Sequence, residues 1–183
     1  MAVALTATIY NVDIDLADAD RGVYETLALR VARHPSESED YLIARVLAYA
    51  LEFEDGIAFS SGISTPDDPP IAVRDLTGAM TAWIDIGTPE ANRLHKADKL
   101  ARRVAVYCHK EPSQWLRQLA GTHIYRAESI AIDAFDPSFI RTLADKLARR
   151  MAFGLSVADG HLLVALDDGT LEGDVARYAI AGR

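Results

Sequence analysis

The sequence predicts an α/β protein with a mixed central sheet flanked by helices. Three observations predict it. Short β-branched and aliphatic runs alternate with helical periodicities through the second half of the chain. Both ends carry period-2 segments joined by turn residues, an N-terminal and a C-terminal hairpin. The length of 183 residues with 50% hydrophobic content suits one domain, here 1–183.

The elements follow in order. Residues 3–16 read as a strand whose apolar phase switches near Asn11, which predicts a bulge there. Asp18 to Gly22 is a turn, and Leu27, Leu29 and Val31 line one face of a second strand. Ser36 with Glu39 has the spacing of a capping box, and Leu42, Ile43, Val46, Leu47 and Ala50 continue a helix to about Phe53. A short strand at 57–60 leads into a loop from Ser61 to Pro70. Ile71–Leu76 and Ala79–Ile86 are strands about Thr77-Gly78. Thr88-Pro89-Glu90 starts a helix that runs to about Leu100. Val104–Cys108 is a strand, Ser113–Ala120 a helix and Ile124–Ile132 a strand. Asp136-Pro137 caps a helix burying Ile140, Leu143, Ala144, Leu147 and Met151. A hairpin turns at Asp159-Gly160, and a weaker strand follows Asp168-Gly169.

Composition excludes several classes. The net charge of −8 argues against tight nucleic-acid binding by the whole surface. No apolar run reaches membrane-spanning length, and the N-terminus lacks a basic signal region. Cys108 is the single cysteine, so no internal disulfide forms, and a reducing cytoplasm is expected. One local exception is the segment from Arg93 to Arg103. Arg93, Lys96, Lys99, Arg102 and Arg103 against Asp98 make five positives and one negative, a local +4. Arg93, Lys96, Lys99 and Arg103 thus offer a basic face to nucleic acid or to a protein partner, or simply a solvated helix face.

The candidate chemistry sits between Asp67 and Lys99. Asp85 lies deep in an apolar strand and requires a metal, a cleft edge or a nearby Arg. A two-residue turn at Thr77-Gly78 pairs position 70 with 85, brings Asp67-Asp68 near Asp85 and leaves Asp75 five pairs away, at roughly 3.3 Å per step. A wider turn faces Asp75 to Asp85, and otherwise Asp75 caps the turn. Lys96 falls at the edge of its helix's buried arc and can reach the sheet's end. Glu37, in the first turn of the first helix, is a third acid or a dipole partner.

These segments, LTATIY, LALRVARHPSE (Leu27 to Glu37), RDLTG (Arg74 to Gly78), WIDIGTP (Trp83 to Pro89) and RLHKA (Arg93 to Ala97), resemble the YaeQ family over nearly the whole chain. The resemblance implies a restriction-endonuclease-like αβββαβ core, that of the PD-(D/E)xK nucleases. It implies a nuclease-like site in which Asp85, with Asp75 or Asp68 and helped by Glu37, holds Mg²⁺ or Mn²⁺. Lys96 would then replace the lysine absent at Gly87. Position 70, an acid in many relatives, is Pro70 here. The alternative is an inactive nuclease-fold protein that binds a protein or nucleic acid.

Overall fold

The computed structural model describes residues 6–60 and 67–181. It is a mixed α/β fold in which one ten-stranded sheet runs in the order β2-β1-β8-β9-β10-β7-β6-β5-β4-β3. The strands are β1 (Thr8–Asp18), β2 (Val23–Arg33), β3 (Ile57–Phe59), β4 (Ile71–Arg74), β5 (Met80–Ile86), β6 (Arg103–Cys108), β7 (Ala131–Phe135), β8 (Arg150–Ala158), β9 (His161–Leu166) and β10 (Gly169–Tyr178). The helices are α1 (Glu39–Leu51), α2 (Ala91–Leu100), α3 (Ser113–Ala120) and α4 (Pro137–Ala144). Strand pairs β1–β8, β5–β6 and β6–β7 are parallel, and the rest are antiparallel.

Burial explains the two kinds of strand. In β1 only alternate residues, Tyr10, Val12, Ile14 and Leu16, are buried, so one face meets solvent. In β5 and β6 successive residues are buried. Ile84, Ile86 and Tyr107 join the core under α1 and α4, while Trp83, Val104, Val106 and Cys108 join a second core under α2 and α3. A near-continuous apolar run is what a strand covered on both sides requires.

Several expectations are corrected. The β1–β2 register is unbroken from Thr8↔Arg33 to Asp18↔Val23, so no bulge forms at Asn11. Tyr10 supplies the inward position that made the phase look switched, and Val3 and Leu5 lie outside the described residues. Ser38, not Ser36, caps α1 by accepting from Tyr41 N, because the Ser36 hydroxyl is taken by His34 Nδ1 at 2.7 Å. Helix α2 starts after Glu90, since the Pro89 carbonyl is held by the Trp115 indole N–H at 2.8 Å. Residues 124–130 are not strand. Arg126 adopts a left-handed φ of 44° beside a 3₁₀ turn, Ala127–Ser129, and pairing with β6 begins at Ala131. Met151 belongs to β8, not to the helix before it. The last strand spans ten residues and joins both halves of the sheet by pairing with β9 and β7.

The hairpin of β4 and β5 keeps the register expected of a two-residue turn, with position 70 opposite 85, but through a different loop. Asp75 N bonds Ala79 O at 3.0 Å, closing a three-residue loop that Gly78 completes at φ 83°. An irregularity beside Arg74 then absorbs one residue, and Ile71 pairs with Ile84. Position 85 therefore lies at the Pro70 end, with Asp75 at the opposite tip.

Gly56 follows α1 at φ 88°, where a Cβ would stand 1.9 Å from the Arg74 carbonyl oxygen. Gly56→Ala is expected to destabilise by about 2–4 kcal/mol, left-handed strain plus overpacking. Gly78→Ala, with nothing within 4 Å, should cost only about 1 kcal/mol. Urea midpoints of the two variants check the difference.

Candidate functional site

Asp85 is 2% exposed on the α2–α3 side of β5. Its buried charge is met from three directions. The Trp83 indole N–H donates to Oδ2 at 2.8 Å. Arg93 Nε donates to both oxygens at 3.0 Å, and Arg93 Nη2 donates to Oδ1 at 2.8 Å. The spacing follows from the chain: Trp83 and Asp85 share a strand face, and Arg93 lies in the first turn of the helix that returns over that face. The guanidinium also stacks on the Trp83 ring at 5.2 Å and reaches the Asp68 carbonyl at 3.0 Å, tying the loop before β4 to β5.

The other expected residues are placed as follows. Lys96 is exposed and pairs with Asp67, whose carboxyl that bond holds below its ordinary pKa. Among the described residues its ion pair is with Asp67 and not with Asp85. Asp75 caps the distant turn by accepting from Thr77 N at 2.9 Å, Thr77 Oγ1 at 2.6 Å and Ala79 N at 3.1 Å. Those bonds lower its pKa and use it as an Asx turn, the turn-capping alternative given for it from the sequence. Asp68 is an exposed residue that contributes its carbonyl to Arg93. Glu37 precedes the α1 cap rather than lying in its first turn. It accepts from His34 N at 3.2 Å and pairs with Arg45 at 3.4 Å. Burial pushes its carboxyl up, and Arg45 opposes that shift. Tyr41 lies within reach of both ion pairs, its hydroxyl pushed up to about 12 by burial first.

The residues do not fit a divalent ion as they stand. Both Asp85 oxygens are committed to hydrogen bonds, Asp75 is at the other end of the hairpin and Glu37 is bound to Arg45. Among the described residues, no group of three His, Cys, Asp or Glu side chains could hold a metal. Gly87 sits at φ 90°, so a lysine there would be strained. The basic face is also largely neutralised. Arg93 pairs with Asp85 and Lys96 with Asp67, while Arg103 belongs to β6 and binds Glu52 at 2.7 Å and Glu54 at 3.3 Å. Lys99 and Arg102 form no ion pair with described residues.

Arg45 was missing from the sequence reading. Its signal was a charge inside the apolar period of α1, and it is 4% exposed there. The Trp83 indole and His109 were missed as well. His109 Nδ1 is buried without a partner, and its ring meets Tyr41 edge-on at 5.9 Å.

Fold and site together define a mixed-sheet α/β protein in which strand β5 carries a buried carboxylate–guanidinium clamp. Comparison with known proteins gives the particular family. The YaeQ protein family model matches residues 3–175, and the chain belongs to that family. It is 27% identical to the YaeQ protein of Escherichia coli (strain K12) over 171 residues, 92% of this chain and 94% of that one. It is 28% identical to the Salmonella typhi protein at the same coverage. The crystal structure of YaeQ from Xanthomonas axonopodis pv. citri aligns with a TM-score of 0.86 at 30% identity, covering 96% of this chain and all of that one. The Pseudomonas syringae structure gives 0.86 at 27%, covering 97% of each chain.

Arg93→Ala leaves a buried charge unpaired and is expected to destabilise by about 3–5 kcal/mol in urea. Adding Asp85→Asn should recover a large part of that loss, because no charge then stays buried. An unchanged midpoint for Arg93→Ala would show that the clamp carries no stability. A second expectation concerns acid. Burial lowers the pKa of His109 from its ordinary 6.5. The unfolded chain therefore takes up that proton first, and this stability component is lost as pH falls from about 6.5. Urea midpoints at pH 7.5 and 5.5 should differ less in His109→Gln than in wild type.

Proposed function

We propose that this chain is a non-catalytic interaction protein on a nuclease-like framework. The element order α1-β3-β4-β5-α2-β6, with β5 and β6 parallel, supports an αβββαβ core. The observation that carries the reading is the Asp85 carboxylate, which is sealed by Arg93 and Trp83 instead of facing a cleft with other acids. A nuclease of this type needs Asp85, a second acid and Glu37 around Mg²⁺ or Mn²⁺, with Lys96 at the phosphate. Here each of those side chains except Asp68 is engaged with another group. The lone thiol Cys108, buried and free, supports a reducing compartment. No helix among the described residues is long and apolar enough to cross a membrane.

The surface that fits a partner protein lies beyond the clamp. An open cleft of about 900 Å³ runs between the β4–β5 turn and the end of α2. Leu100 and Tyr125 are exposed in it, Met80 is half-buried, and Lys99 and Arg102 lie alongside. Apolar surface beside exposed cations suits an acidic protein segment.

Titration with MnCl₂ is expected to give no saturable heat, and DNA and RNA incubated in Mn²⁺ should stay intact. Reversal of Lys99 and Arg102 to Glu should abolish partner capture from a bacterial extract, while Asp85→Asn should not. Metal-dependent cleavage that disappears in Asp85→Asn would overturn the proposal.

A further inference from the structure

A second polar site lies at the opposite side of the sheet's centre. A cleft of about 430 Å³ opens where the β1–β2 turn, the β8–β9 turn and the end of α1 meet. Leu51, Val157, Leu162 and Val175 give it apolar walls. Three acids, Asp18, Asp20 and Asp133, and two bases, Arg21 and Arg177, also line it, a net of −1.

All but one of these charges are committed. Asp133 receives Arg177 Nε at 2.9 Å and Arg177 Nη2 at 3.1 Å. Asp20 accepts from Asp159 N at 2.7 Å and Gly160 N at 2.9 Å, fixing the β8–β9 turn. Arg21 donates to the Leu51 carbonyl at 2.6 Å and the Phe53 carbonyl at 2.9 Å, closing the end of α1. Asp18 differs. It is 1% exposed at the end of β1, and its Oδ1 accepts one backbone bond, from Arg21 N at 3.1 Å. Its Oδ2 has no donor among the described residues, and no cation lies within ion-pair distance. A carboxylate oxygen that opens on a cleft without a counter-charge attracts a cation, which pairs with it there.

We propose that this cleft binds a small free alkylammonium, with Asp18 as its counter-ion and the apolar walls around its carbon chain. The volume suits enclosure of a small molecule. No three-ligand metal group exists here among the described residues.

The test is ¹⁵N–¹H NMR titration of the full chain with n-butylammonium, n-butanol and Nα-acetyl-lysine methylamide. Saturable shifts are expected at the amides of Asp18, Gly160 and Val175 with n-butylammonium. Butanol should bind at least tenfold more weakly, which needs no variant to read. Asp18→Asn, close in shape, should weaken n-butylammonium at least tenfold. The lysine derivative should bind more weakly than n-butylammonium. The proposal is overturned by absent saturation, by shifts confined elsewhere, by equal butanol affinity or by unchanged affinity in Asp18→Asn. Tighter binding of the lysine derivative would overturn the free-amine assignment in favour of a protein side chain.

Discussion

The Asp85–Arg93 pair is the constraint on which the packing of β5, α2 and the loop before β4 depends. A carboxylate at 2% exposure is tolerable only with a cation and hydrogen bonds beside it. Arg93 satisfies that need from the first turn of α2, so the helix must return over β5 at this position. The same guanidinium covers Trp83 and holds the Asp68 carbonyl, so strand, helix and the preceding loop are fixed by one planar group. A lysine would not serve equally, because a single ammonium lacks the fork that reaches both oxygens and a carbonyl together.

The sheet around that clamp is built from two kinds of surface. Strands β5 and β6 are covered on both sides and place their residues in two separate cores. Strands β1, β2 and β8 bury one face and show the other to solvent. β10 bridges the halves, and Gly173 within it lets Phe139 of α4 pack where a Cβ would stand 2.4 Å from that ring. Charge follows the same logic. Asp98 is sealed by Arg126, Asp133 by Arg177 and Glu52 by Arg103 together with the Tyr107 hydroxyl. The acids that give the chain its negative balance thus include several that anchor elements, and Asp18 stands apart from them.

Much of the fold was legible because its signals are local. Alternation marked β1 and β2, helical spacing marked α1, and Asp159-Gly160 marked its hairpin, where both residues take φ above zero. The pairing of position 70 with 85 was also reachable by counting. It holds through a three-residue loop and one irregular residue rather than a two-residue turn. The start of α2 was less legible, because a Trp115 bond from a later helix decides where Pro89 sits.

The sequence by itself determined the family, the mixed α/β class and the presence of Asp85 in an apolar strand. Those depend on residue order, and neighbours along one strand or helix have fixed directions. Only the tertiary structure decided what Asp85 faces, because Arg93 and Trp83 reach it through the packing of α2 on β5. It likewise sent Asp75 to a turn, gave Lys96 to Asp67 and turned Arg103 toward Glu52. A carboxylate's role depends on the charge within a few ångströms of it, and that charge comes from elements whose placement no local pattern records.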